Sequence, residues 1–161
     1  MNTYNQKCCD DLFTEFEFQD LGNAEPPDEK GVYVIRVKRR GLSTIKIVGE
    51  VKQRLQGLKW ELAKNYICSR IERLKRIDQC PVIYIGSAGG KKGSKNTLKG
   101  RYEELAGRRH TVMYPILALL YFDWELEFGW KVDNSPSDLE EKLKRKYRER
   151  HNGKLPALVE R

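Results

Sequence analysis

The chain is poor in the residues that build metal and redox centres, with two histidines, His110 and His151, and four cysteines among 161 residues. Cys8 and Cys9 are adjacent, and Cys68 and Cys80 stand twelve apart. No CxxC pair exists and no Cys–His group has zinc spacing, which excludes a zinc finger and leaves free thiols in a reducing compartment as the expectation. No apolar run approaches the about 20 residues of a membrane span; the longest is Tyr114 to Phe122. Met1 to Asp20 is acidic and lacks a hydrophobic stretch of signal-peptide length. A cytoplasmic protein without membrane contact is therefore expected. There is no GxxxxGK[ST] pattern to cradle a nucleoside triphosphate, and neither an internal repeat nor a low-complexity tract.

What is present is charge and aromatic side chains. Hydrophobic residues make up 39% and charged residues 34%, with Lys+Arg 31 against Asp+Glu 23 and a net charge of +8. Three tryptophans, eight tyrosines and five phenylalanines need a core, so one folded domain spanning 1–161 is expected rather than disorder. The charge is blocked. Residues 1–33 carry net −6, 34–80 net +9, 81–111 net +5, and 112–161 net zero. A basic middle interleaved with Tyr66, Tyr84 and Tyr102 points to a phosphate backbone as partner.

Along the chain, Pro26-Pro27-Asp28 is a turn, and Gly31 to Val37 reads as a strand. Ile45 to Val48 reads as a second short strand. Val51, Leu55, Leu58, Leu62, Ile67, Ile71, Leu74 and Ile77 then follow helical spacing, predicting an amphipathic helix of some 25 residues weakened at Gly57. Pro81 ends it, and Val82 to Ile85 is a buried strand. The loop Gly86 to Asn96 holds four glycines and three lysines. Thr97 is the expected cap of a helix running to Ala106, and Pro115 opens an apolar helix ending near Tyr121. Trp124 to Val132 alternates as a half-buried strand with Trp124 and Trp130 in the core. Ser135 caps a last helix with Pro136 in its first turn, and Asn152-Gly153 stops it. The expected fold class is α/β (α+β), a central mixed or antiparallel three-stranded sheet flanked by helices, with residues 38–80 as a basic helical insert.

Two strand tripeptides carry more than local structure: Gly31-Val32-Tyr33 and Tyr84-Ile85-Gly86. They are followed by a glycine-rich polar loop, by Leu98-x-x-Arg101 at the start of a helix, and by Glu140-x-x-Leu143 in the last helix. In this order of elements the chain resembles the GIY-YIG nuclease superfamily, over residues 31–33 and about 82–156. The family usually joins its signature strands by a short turn, whereas Tyr33 and Tyr84 are 51 residues apart here. The resemblance implies a site lined by Tyr33 and Tyr84, with Arg101 as the first-helix arginine and Glu140 as the metal-binding glutamate. It implies structural places for Gly31, Gly86 and Asn152, and a further basic or histidine residue that Lys95, Lys99 or His110 could supply. The stand-alone domain with its insert looks like the small restriction endonucleases of the group, with double-stranded DNA as substrate and a homodimer as the form that cuts both strands.

The residue types suit that chemistry. Phosphodiester hydrolysis needs an in-line water and stabilisation of developing negative charge. One carboxylate, Glu140, suits Mg²⁺ with Mn²⁺ as a substitute, because a hard cation keeps much of its shell for water and phosphate oxygens. Arg101 offers a planar charged fork for phosphate. A tyrosine base must lose its proton from a pKa of about 10. The basic surroundings are expected to lower it, with Tyr33 as base and Tyr84 as its orienting partner. Lys91, Lys92, Lys95, Lys99, Arg108, Arg109 and His110 are the expected nucleic-acid contacts. Two alternatives share the basic block: a non-catalytic binding module on the same fold, and an RNA- or structure-specific nuclease.

Overall fold

The computed structural model describes residues 5–77, 80–107 and 110–159. Four strands, β1 (Glu17–Asp20), β2 (Gly31–Arg39), β3 (Val82–Ala88) and β4 (Glu125–Val132), form a sheet in the order β1-β4-β2-β3. Every pairing is antiparallel. The α+β class expected from the sequence holds, with a correction: the sheet has four strands, not three. β1 is a four-residue edge strand, Glu17-Phe18-Gln19-Asp20, none of it fully buried, so neither alternation nor apolar content marks it.

β2 is central and buried on both faces, which is why Gly31-Val32-Tyr33-Val34-Ile35 reads as a continuous apolar run. Tyr33, Ile35 and Val37 enter the larger core with Ile47, Leu98, Leu105, Ile116, Leu119, Trp124 and Phe128. These come from α1 (Thr44–Leu55), α3 (Leu98–Ala106), α4 (Met113–Tyr121) and the β4 arm. Val32 and Val34 enter a second core with Phe13, Cys80, Val82, Ile85, Leu143 and Tyr147, covered by α5 (Pro136–Arg150) and the N-terminal segment. The sheet thus lies between two helical layers.

The insert departs most from expectation. Ile45 to Val48 is not a strand but part of α1. Its β-branched run favours extended chain in isolation, but the Ser43 side chain caps Lys46 N–H and burial of Ile47 and Val48 decides for helix. The single long helix is likewise replaced by α1, then α2 (Glu61–Ile71), then a 3₁₀ helix Glu72–Arg76, with the break at Gly57 to Trp60. Ile71, Leu74 and Ile77 pack into the larger core, whereas Leu58, Trp60 and Leu62 face outward. Part of the insert's charge is engaged: Lys38, Arg39, Lys52, Lys64 and Lys75 pair with carboxylates of the same chain.

β3 is an edge strand. A register shift opposite Ile35 and Arg36 leaves a bulge at Ile83, and Leu158 N–H donates to the Ile83 carbonyl at 2.9 Å, so the C-terminal segment covers that part of the edge. Thr97 caps α3 as expected, accepting from Gly100 N–H at 3.1 Å. Ser135 occupies the N-cap of α5 but makes no side-chain cap; Pro136 takes the first turn. Asn152 (φ 53°) and Gly153 (φ 78°) end α5 in the left-handed region, with Gly153 N–H on the Arg148 carbonyl.

Candidate active site

Tyr33 and Tyr84 come from adjacent antiparallel strands and point to the same face, Tyr33 lying opposite Gly86 and Tyr84 opposite Ile35. Their rings stack with centroids 5.7 Å apart, and Tyr33 stacks on Phe128 at 5.4 Å on its other side. Gly86 is where this close approach needs a missing side chain: a Cβ there would lie 2.7 Å from Tyr33 Cζ and 2.8 Å from Tyr84 Cε1. Gly31 has the same role toward backbone, since its Cβ would meet the Lys131 carbonyl oxygen at 2.3 Å. Both signature glycines are therefore explained by packing.

Arg101 lies on α3 and Glu140 on α5, in the two helical layers, and the charges of both reach Tyr33. Arg101 donates from a terminal nitrogen to Glu104 at 2.8 Å, while its buried Nε–H has no hydrogen-bond partner among the described residues. An orphaned guanidinium N–H is costly unless a further acceptor arrives. Glu140 accepts from Lys144 Nζ at 2.5 Å, the i,i+4 neighbour on its own helix, and keeps 20% of its side chain exposed. His110 packs its ring edge-on to Tyr84 at 5.9 Å and accepts Val112 N–H at Nδ1. Of the three residues left open for the auxiliary role, His110 is the one in contact with a site tyrosine.

The two tyrosines differ. Tyr33 is 2% exposed, and Tyr84 is half-buried. Burial pushes the Tyr33 hydroxyl well above the usual phenol range, its contact with Tyr84 pushes the same way, and the Arg101 charge opposes without prevailing. The expectation that basic surroundings lower Tyr33 is corrected: desolvation wins. Tyr147 is raised as well, chiefly by burial. The sign for stability follows. Below the unfolded value of about 10 both states hold the proton, and above it the unfolded chain ionises while the native one resists, so stability falls as pH rises. An absorbance titration of tyrosinate should show at most six of the eight tyrosines ionising reversibly, with the rest appearing only as the protein unfolds. Full reversible titration of all eight in the folded protein contradicts this.

Beside the N-terminus of α5 a cleft of about 300 Å³ is lined by Lys30, Gly89 to Ser94, and Asn134 to Asp138. Lys91 and Lys92 border it, and Lys95 and Lys99 are exposed nearby in sequence. None of these four lysines has a carboxylate partner among the described residues, in contrast to the paired cations of the insert. Arg108 and Arg109, expected as contacts, lie outside the described residues. Asn152 is exposed in the turn that ends α5, past the about 15 Å of helix that runs from Glu140 to Arg150, and stops the helix rather than lining the tyrosine pair.

Sequence reasoning missed a second constellation. Cys8, Cys9, Cys80 and His151 converge, with one ligand atom of each within 4.8 Å of the others. This group could bind a metal ion, and its donors suit a soft metal rather than Mg²⁺. The thiols are inequivalent: hydrogen bonding from Cys80 brings Cys9 down to about 6, while burial raises Cys8 and the bond to Cys9 raises Cys80. No linear spacing announces the cluster, because its members lie at residues 8–9, 80 and 151 and only the fold joins them. Comparison with known protein families, characterised proteins and solved structures finds no match for this chain.

Proposed function

We propose that the chain is a metal-dependent endonuclease that hydrolyses phosphodiester bonds of double-stranded DNA. The observation that carries the reading is the stacked pair Tyr33 and Tyr84 within reach of the charges of Arg101 and Glu140, in a fold that also presents a cleft bordered by unpaired lysines. A core tyrosine pair alone has no need of a partly buried carboxylate and an incompletely bonded guanidinium at its rim.

In this reading Tyr84 is the base. As the phenolate, its half-buried oxygen takes a proton from water, and the resulting hydroxide forms a bond to phosphorus as the bond to the leaving oxygen breaks. The leaving oxygen takes its proton from solvent, to which Tyr84 returns its own. Tyr33 keeps its proton and donates to Tyr84 oxygen, stabilising the phenolate. Arg101 uses its spare N–H on a phosphate oxygen. Glu140 fits a hard divalent cation, being a single carboxylate that still reaches solvent. When bound, Mg²⁺ supplies neutralisation of the charge that develops on the phosphate. Lys91, Lys92, Lys95 and Lys99 hold the backbone of the duplex, which makes binding steeply salt-dependent.

Plasmid cleavage at moderate salt with Mg²⁺ or EDTA tests this, with DNA binding followed in parallel. Tyr84→Phe should lose about 10²–10⁴-fold in rate, and Tyr33→Phe about 10–100-fold, the worth of a hydrogen bond to a charged oxygen. Discrete fragments from the wild type indicate sequence-specific, restriction-type cutting. Tight binding with no metal-dependent cleavage of any DNA overturns the nuclease reading and favours a binding module; cleavage confined to RNA overturns the substrate.

A further inference from the structure

The second core holds a group of donors that the proposed nuclease chemistry does not use. Cys8 Sγ lies 3.8 Å from Cys9 Sγ and 3.4 Å from His151 Nε2, and Cys80 completes the group within 4.8 Å. A tetrahedral zinc with Zn–S of about 2.3 Å and Zn–N of about 2.0–2.1 Å sets S···S near 3.8 Å and S···N near 3.5 Å. The two separations in the fold are those of ligands already spaced around such an ion. Three thiols and an imidazole also form a closed four-ligand set, the pattern of structural rather than catalytic zinc.

The surroundings serve the same end. His151 Nδ1 lies 2.7 Å from the Tyr147 carbonyl, which only accepts, so Nδ1 carries the proton and Nε2 directs a lone pair at the thiols. Tyr147 stacks on the imidazole at 3.8 Å and fixes its plane. Cys9 adopts φ 65°, a left-handed conformation that a non-glycine residue seldom holds. Neighbouring side chains ordinarily diverge; this turn brings both sulfurs to one point. Cys9 and Cys80 are buried and Cys8 and His151 are half-buried, so the group is enclosed yet reachable. Arg150, held bidentately by Asp11 at 2.6 Å, stands next to the cluster and interacts with Cys9.

We propose that Cys8, Cys9, Cys80 and His151 form a structural site for one zinc ion, which pins the N-terminal segment and the end of α5 to the start of β3. Binding exchanges thiol protons for metal–sulfur bonds, the protons passing to solvent, with no redox change. The site stands independently of the nuclease reading: it lies at the opposite end of α5 from Glu140 and remains meaningful if no DNA is cut.

The test uses the reduced full chain. Titration with Zn²⁺ alone should show one tight site per chain, and Co²⁺ should give the intense ligand-field and thiolate charge-transfer absorption of a tetrahedral Cys₃His centre. Removing the metal with a chelator should lower Tm by about 10 °C, as expected for loss of a ligand held at about 1,000 times its Kd. Cys80→Ser should weaken zinc binding at least 100-fold, and Cys68→Ser, outside the cluster, should leave it unchanged. His151→Cys should retain a tetrahedral centre with a four-sulfur cobalt spectrum, a rescue that a merely packed histidine does not predict. Absence of stoichiometric Zn²⁺ and Co²⁺ binding, or binding unaltered in Cys80→Ser, overturns the proposal. So does a disulfide joining Cys80 to Cys8 or Cys9 in protein purified under reducing conditions.

Discussion

Glu140→Gln should abolish Mg²⁺-dependent cleavage, lowering the rate by about 10³-fold or more, while leaving the fold and DNA binding nearly unchanged. The two side chains have the same shape, and the glutamine carbonyl still accepts from Lys144, so the helix surface and its i,i+4 contact survive. What disappears is the negative charge. A neutral amide is a poor ligand for a hard divalent cation, and about 4 kcal/mol of transition-state stabilisation is the equivalent of the expected rate loss. In the proposed reading binding should persist, because the phosphates are assigned to the lysines bordering the cleft and not to Glu140. Single-turnover cleavage and a gel-shift titration on the same duplex separate the two quantities. Full activity in Glu140→Gln removes Glu140 from the chemistry; loss of binding together with activity makes it a positioning residue for the cleft. Glu141→Gln is the internal control, since the adjacent carboxylate is not among the charges that Tyr33 feels most.

The parts of this fold that could be read in advance are those where burial follows a simple period. β4 alternates because one side faces the larger core, and β2 is uniformly apolar because both sides are covered. Thr97 and Pro136 mark their helices because orphan N–H groups at a helix start have few solutions. The failures have equally definite causes. The β-branched stretch at Ile45 to Val48 was claimed by tertiary packing, and β1 is too short and too acidic to show a pattern. That Tyr33 and Tyr84 lie on strands and Arg101 and Glu140 on helices was legible, because each of those elements has a regular period or a marked start. Their energetics were not: whether Arg101 or desolvation governs Tyr33 depends on how deeply Phe128, Tyr84 and Gly86 enclose it. The cysteine cluster lay beyond sequence reasoning altogether, since its geometry is made by three segments meeting in the second core.

Gly86→Ala should destabilise the protein by about 3 kcal/mol and disable the site even where the chain still folds. The new methyl would stand 2.7 Å from Tyr33 Cζ, 2.8 Å from the Tyr33 hydroxyl and 2.8 Å from Tyr84 Cε1. No flexible side chain is available to yield. Tyr33 is backed by Phe128, which is itself wholly buried against Tyr102 and Trp130, and the β2–β3 ladder fixes both strands on either side of the glycine. Relief must come from shifting rings or from opening the ladder, and overpacking of this kind costs about 1–3 kcal/mol, with more expected where no cavity adjoins. For a chain of this length that corresponds to a Tm lower by roughly 6–12 °C. Gly49→Ala supplies the opposite sign: it lies within α1 and a Cβ there meets nothing within 4 Å, so helix propensity should raise stability by up to about 1 kcal/mol. Thermal melts of the two variants, read by circular dichroism, check both directions. If Gly86→Ala melts with the wild type, the tyrosine pair has room that the packing denies. A folded Gly86→Ala protein that binds DNA without cutting it would instead tie cleavage to the spacing of Tyr33 and Tyr84, because the substitution alters no polar group of the proposed site.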